Sequence, residues 1–211
     1  MAIDESIREV VLVHGLWAKG WWMTHLAGKL SNAGFSVSKF DYATTRSSLD
    51  RQAAALYEFA KRDDGSLPHI VAHSMGGLIT VHMLVENPFA PSGRIVLMGS
   101  PIKGSRAARR VSRWPAGTTL LGAARKTLSD GAQEWPQGRE IGMIAGNRAV
   151  GLGVLAGGAT EHGDGTVLAR ESLHDDLKDH VEIPSSHTSM LFSVKASVQI
   201  VQFLRTGHFS H

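Results

Sequence analysis

The sequence predicts an α/β protein built on one mostly parallel β-sheet of about six strands, with helices on both faces. Two observations carry this expectation. Short, nearly continuous apolar runs rich in β-branched residues recur along the chain, and helical patterns separate them. Strands buried on both faces lose the polar/apolar alternation of a half-exposed sheet, and parallel strands need helical crossovers to join them.

Val10–His14 (VVLVH) reads as the first strand, followed by a helical pattern over Trp21–Ala33 that places Trp22, Leu26 and Leu30 at steps of four and stops at Gly34. Val37–Asp41 is the next strand. Leu49–Lys61 sets Leu49, Ala53, Leu56 and Ala60 on one helical face, with Ser48 as its N-cap. His69–His73 (HIVAH) reads as a central strand. Met75–Glu86 is apolar almost all round and must end at Asn87-Pro88, where proline removes a donor and restricts the residue before it. Ile95–Gly99, Ile141–Ala145 and His180–Ile183 are three further strands, and a last helix runs from Ser189 to Leu204.

Two stretches depart from the alternation. Residues 104–138 are too long for one crossover and hold two basic helical patterns around Trp114-Pro115, which reads as a short cap or lid over one edge of the sheet. Residues 151–165 contain six glycines and read as a loop, without the Gly-x-Gly-x-x-Gly spacing of a dinucleotide site. With neither a repeat nor a linker, residues 1–211 are expected to form one domain.

Composition narrows the functional classes. The chain has 43% hydrophobic and 19% charged residues, as a packed globular protein does. It has no cysteine, which excludes disulfides, thiolate metal sites and a cysteine nucleophile. The first ten residues carry acids and run into a strand, unlike a signal peptide, and no apolar run reaches the roughly 18 residues of a membrane span. A cytoplasmic protein without stable membrane insertion is expected. Net charge is +3, and residues 103–126 hold seven basic side chains and no acid. Without interleaved stacking aromatics or a nucleic-acid motif, this stretch reads as a solvated face and not as a nucleic-acid interface. Nothing in the sequence bears on oligomeric state.

The segment Val71–Leu78 (VAHSMGGL) places Ser74 where a strand hands over to a helix. A serine at such a corner sits in a tight turn that lifts its hydroxyl clear of both elements, next to the free N–H groups of a helix start. As a lone residue it could equally be an N-cap. A nucleophilic serine also needs a base, and the base needs a carboxylate. Asp164 lies in a glycine-flanked loop (HGDGTV), and His187 lies after the last strand (PSSHTSML). The order Ser74, Asp164, His187 places all three at strand ends along one edge of the sheet. Competitors for the base are His162, His174, His180, His208 and His211, and for the acid Asp130, Asp175, Asp176 and Asp179.

The segments VLVHGLW, VAHSMGGL, GDGTV and SSHTSM, taken together and in this order, resemble the α/β-hydrolase superfamily, and in particular its small bacterial serine esterases and lipases. The resemblance covers essentially the whole chain. It implies a Ser74–His187–Asp164 catalytic triad, a carboxylic ester substrate, an acyl-enzyme intermediate, and no metal or other cofactor. It also implies an oxyanion hole formed by the backbone N–H groups of Leu16 and Met75. His14 reads as a turn residue that holds this loop. Ala72 stands where the family pattern usually has glycine, the N-terminus is minimal, and the cap is short.

Trp17, Trp21 and Trp114 are candidate substrate-binding residues, offering flat apolar walls for an acyl chain. Trp22 is the tryptophan best placed to pack its helix onto the sheet. Two other readings remain open at this level: the same triad acting on a thioester, amide or carbon–carbon bond, and a non-catalytic ligand-binding protein on the same scaffold.

Overall fold

The structure is a computed structural model, and it describes residues 7–150 and 162–211. Six strands form one sheet: β1 (Glu9–Val13), β2 (Ser36–Phe40), β3 (His69–His73), β4 (Ile95–Met98), β5 (Ile141–Gly146) and β6 (Asp179–Ile183). They lie in the order β2-β1-β3-β4-β5-β6, and every adjacent pair is parallel. Strand β3 is buried along its whole length, as are β4 and β5. The sheet is thus all-parallel, with its carboxyl ends along a single edge.

Two apolar cores flank it. One face packs Val11, Val13, Ile70, Ala72, Leu97 and Met143 against helices α2 (Leu49–Ala60) and α3 (Met75–Glu86). The other packs Val10, Leu12, Val71, Val96 and Ile144 against α1 (Thr24–Asn32) and the C-terminal helix, Val194–Thr206. Trp22 is partly buried against this second core. The alternation of strand residues between the two cores is the period-two geometry of β-structure with apolar side chains on both sides.

Helix α3 begins and ends where its sequence dictates. The chain leaves β3 through Ser74 at φ 56° and ψ −124°, then turns into the helix at once. At its other end Asn87 donates from its side chain to the carbonyl of Met83 before Pro88.

The stretch 104–138 holds three helices where sequence suggested two: α4 (Arg106–Val111), α5 (Gly117–Leu121) and α6 (Ala124–Asp130). Pro115 interrupts after α4, and Gly122, at φ 54°, breaks the backbone between α5 and α6. Leu121, Ala124 and Leu128 are buried in the first core, so this stretch is packed down rather than free-standing.

After β5 the chain enters the glycine-rich segment. The expected loop at 151–165 falls for the most part outside the described residues. A four-residue helix, α7 (Ala169–Ser172), follows; it is too short to leave a periodic pattern in sequence, and the Glu171 carboxylate ties it by accepting from the N–H of Leu168. The last helical stretch is interrupted. A 3-10 turn, Ser189–Phe192, stops at Ser193, whose extended backbone and side-chain acceptor restart the chain as α8 (Val194–Thr206). Likewise the expected helix at Trp21–Ala33 starts with a 3-10 turn, Gly20–Met23, before α1. Among the described residues no helix is long and apolar enough to cross a membrane.

Candidate active site

The carboxyl ends of β1, β3, β4, β5 and β6 converge on Ser74. Its φ of 56° lies in the left-handed region that a side chain with Cβ rarely adopts, and the surrounding contacts hold it there. The Ser74 N–H donates to the carbonyl of Met98 at the end of β4, and its own carbonyl accepts from Gly77. The side chain makes no capping hydrogen bond to α3. The N-cap alternative is therefore not the role the geometry gives it.

The hydroxyl instead donates to Nε2 of His187 at 2.9 Å. On the other side of the ring, Nδ1–H donates to Oδ2 of Asp164 at 2.7 Å. The second oxygen of Asp164 accepts from the N–H groups of Thr166 and Val167, at 2.8 and 2.7 Å. The two bonds to its ring set the tautomer of His187, with hydrogen on Nδ1 and the lone pair on Nε2 facing Ser74. Asp164 is 1% exposed, and these donors engage both of its oxygens. Of the competing histidines, His162 meets Glu182, His174 stacks on Trp135, His208 and His211 both reach Asp179, and His180 lies within β6.

The turn after β1 closes on the same serine. A Cβ built on Gly15 would stand 2.9 Å from Ser74 Cβ, and one on Gly76 would stand 2.6 and 2.7 Å from the carbonyl oxygens of His14 and Val13. Only glycine permits this contact between β1 and the start of α3. It explains the small residue two places after Ser74. Ala72, two places before, is fully buried in β3 and is accommodated.

His14 braces the turn. Its Nδ1 lies 2.9 Å from the Gly15 carbonyl oxygen, and its Nε2 lies 2.9 Å from the Asp41 carboxylate. The ring stacks on Tyr42, whose hydroxyl donates to the His14 carbonyl. Burial, with Asp41 adding to it, holds the Tyr42 phenol far above its ordinary range, so it stays protonated as that donor. Because a trans peptide points its C=O and N–H in opposite directions, holding the Gly15 oxygen on the His14 side aims the Leu16 N–H the other way. Among the described residues, neither the Leu16 N–H nor the Met75 N–H donates to any group.

The three tryptophans named above stand at different places. Trp17, 45% exposed and at φ 58°, donates its backbone N–H to Thr44 and its indole N–H to the carbonyl of Leu120 in α5. It therefore ties the turn to α5. Trp21 is 67% exposed beside Trp22, and Trp114 is 52% exposed in the turn after α4. Neither is joined to Ser74, His187 or Asp164 by a hydrogen bond among the described residues.

Sequence reading did not single out His73, which is buried against His187, or Asp41, the partner of His14. Both lay in plain view, one next to Ser74 and one at the end of a predicted strand. Their roles depend on contacts between segments far apart in the chain.

No curated protein matched the sequence. Among solved structures, similarity extends to a Bacillus licheniformis lipase in its mature form, with a TM-score of 0.76, 18% identity, and 98% of this chain and 94% of that chain covered. A metagenomic carboxyl esterase is similar at a TM-score of 0.65 and 17% identity, over 90% of this chain and 67% of that one. A monoacylglycerol lipase from Paleococcus ferrophilus is similar at a TM-score of 0.61 and 16% identity, over 94% of each chain. At these identities the likeness is one of fold. The model of the Alpha/beta hydrolase family matches residues 10–211, nearly the whole sequence. Fold and family match coincide, and the chain belongs to the alpha/beta hydrolase family.

Proposed function

We propose that this chain is a serine hydrolase that cleaves carboxylic esters, with Ser74 as nucleophile, His187 as general base and acid, and Asp164 as the carboxylate that orients and stabilises the imidazole. The observation that carries this reading is the continuous hydrogen-bond chain from Asp164 through His187 to a serine held at φ 56°. The esterases and lipases among the similar folds agree with it.

In the first half-reaction His187 Nε2 takes the Ser74 proton as Oγ bonds to the ester carbonyl carbon. The resulting oxyanion is held by the N–H groups of Leu16 and Met75. Losing one such donor typically costs about 100- to 1000-fold in rate. Collapse expels the alcohol, which leaves with the proton carried by His187. Water then gives a proton to the same nitrogen and attacks the acyl-serine; collapse releases the carboxylic acid as His187 returns that proton to Ser74 Oγ. Asp164 accepts from Nδ1–H throughout and stabilises the imidazolium. No metal or other cofactor enters these steps. Trp17, bonded to the cap, and the exposed Trp21 and Trp114 supply apolar surface for the acyl chain.

Hydrolysis of p-nitrophenyl esters from acetate to palmitate, by wild type and by Ser74→Ala, tests this reading. Wild type is expected to turn over part of the series, with the chain-length profile separating esterase from lipase behaviour, and Ser74→Ala is expected to lose at least about 1000-fold in kcat. Equal rates in the two proteins would remove Ser74 as nucleophile. A wild type inert to every ester would remove the ester substrate class.

A further inference from the structure

His73 immediately precedes Ser74 and is almost wholly enclosed between β3, the turn at Gly15 and the loop that carries His187. Its Nε2–H donates to the backbone carbonyl of His187 at 2.9 Å, and the two imidazole rings lie 4.7 Å apart at 44°. The main-chain N–H of His187 donates to the carbonyl of Asp164 at 2.9 Å. His187 is therefore held at three points: its main-chain N–H and its ring by Asp164, and its main-chain carbonyl by His73. The remaining nitrogen of His73, Nδ1, has no partner among the described residues and faces Gly15, where a Cβ would come within 3.1 Å.

Burial is the main cause that pulls the His73 imidazole down to about 3, with the neighbouring His187 second. The groups that act on it are His187, Asp164 and His14. It is thus neutral wherever a histidine base can function. That neutrality has a consequence for the proposed mechanism, since a cation this close would oppose formation of an imidazolium on His187.

We infer that His73 is a positioning residue for the catalytic base: its neutral imidazole fixes the peptide of His187, and so sets how Nε2 meets the hydroxyl of Ser74. The inference rests on the triad reading given above. A leucine or phenylalanine would fill the same space, but would leave the buried His187 carbonyl unpaired and the loop free to shift. A displacement of about 1 Å at a reacting group costs on the order of 100-fold in rate.

The test compares His73→Leu and His73→Gln with wild type and with Ser74→Ala, on whichever p-nitrophenyl ester the wild type cleaves best. His73→Leu is expected to lower kcat about 100-fold with KM nearly unchanged, and to shift the acid limb of the kcat–pH profile, which reports His187 in the enzyme–substrate complex. His73→Gln, whose side-chain amide can donate to the same carbonyl, is expected to recover at least about a tenth of the wild-type kcat. Leu and Gln variants of equal activity, with an unmoved acid limb, would reduce His73 to a filler of space and overturn the inference. Should His73→Leu not fold, 15N NMR of the wild-type imidazoles decides: hydrogen on Nε2 of His73, unchanged from pH 5 to 9, is expected, and hydrogen on Nδ1 overturns the inference. Activity retained by Ser74→Ala would instead sink the triad reading, and the two failures are thereby distinct.

Discussion

A methyl group added at Gly15 would stand 2.9 Å from Ser74 Cβ and 3.1 Å from His73 Nδ1. The first is closer than such atoms pack and the second is tighter than most contacts, so either the turn after β1 or the serine must move. Everything that meets at this point depends on it: the peptide braced by His14, the N–H of Leu16, and the backbone strain at Ser74. We expect Gly15→Ala to lower kcat toward esters by about 10- to 100-fold, since small misplacements of donors and nucleophile are costly. The accompanying stability loss should be about 1–3 kcal/mol, the usual range for overpacking. Kinetics and a urea melt on the same preparation would check both, and unchanged kcat would show that the turn does not set the geometry of the serine.

Among the elements, β3 and α3 have the bounds that sequence predicts, His69–His73 and Met75–Glu86. The reason is local, because the strand ends at the turn that Ser74 imposes and the helix ends at Asn87-Pro88. The last helix was harder to read, since Ser193 looks like any polar residue within a helical period, and only its cap geometry shows that it begins a new element. α7 has too few residues to show a period. The long-range ties that lock elements together were not legible at all. Arg94 donates to Glu140 ahead of β5 and to the carbonyls of Leu204 and Arg205 at the end of α8, so one buried guanidinium closes a helix terminus and an ion pair together. Sequence gives no spacing for such contacts. The convergence of Ser74, Asp164 and His187 could be read because each lies in the connection that follows a strand, and parallel strands put the starts of those connections on one edge. His73 and Asp41 could not, because their partners lie 114 and 27 residues away.

For the molecule as a whole, two buried histidines link the central strand to pH. His69 accepts from the N–H of Arg94, and burial, followed by the Arg94 charge, pulls its imidazole from the ordinary 6.5 to about 4. His73 lies lower still, at about 3. In the unfolded chain both imidazoles take up protons near pH 6.5, whereas the folded protein resists. Between about 6.5 and 4 the unfolded state therefore binds more protons, and stability falls as pH falls, by up to about 1.4 kcal/mol per pH unit for each histidine. Urea melts across this window should show the decline, and His69→Gln should have a shallower slope than wild type. Parallel slopes would mean that His69 is not held neutral by the fold.

The hydroxyl of Ser74 is the group on which the proposed chemistry turns, and covalent trapping addresses it without assuming a substrate. Diethyl p-nitrophenyl phosphate offers a phosphorus centre to an activated serine: the Oγ–P bond forms, p-nitrophenolate leaves, and the diethylphosphoryl group stays on the protein. One equivalent of p-nitrophenolate and a single adduct mapped to Ser74 are expected for wild type, with no adduct in Ser74→Ala and labelling slowed at least about 100-fold in His187→Ala. An adduct on another residue, or a wild type that cleaves esters yet leaves Ser74 unlabelled, would contradict a Ser74 nucleophile activated by His187.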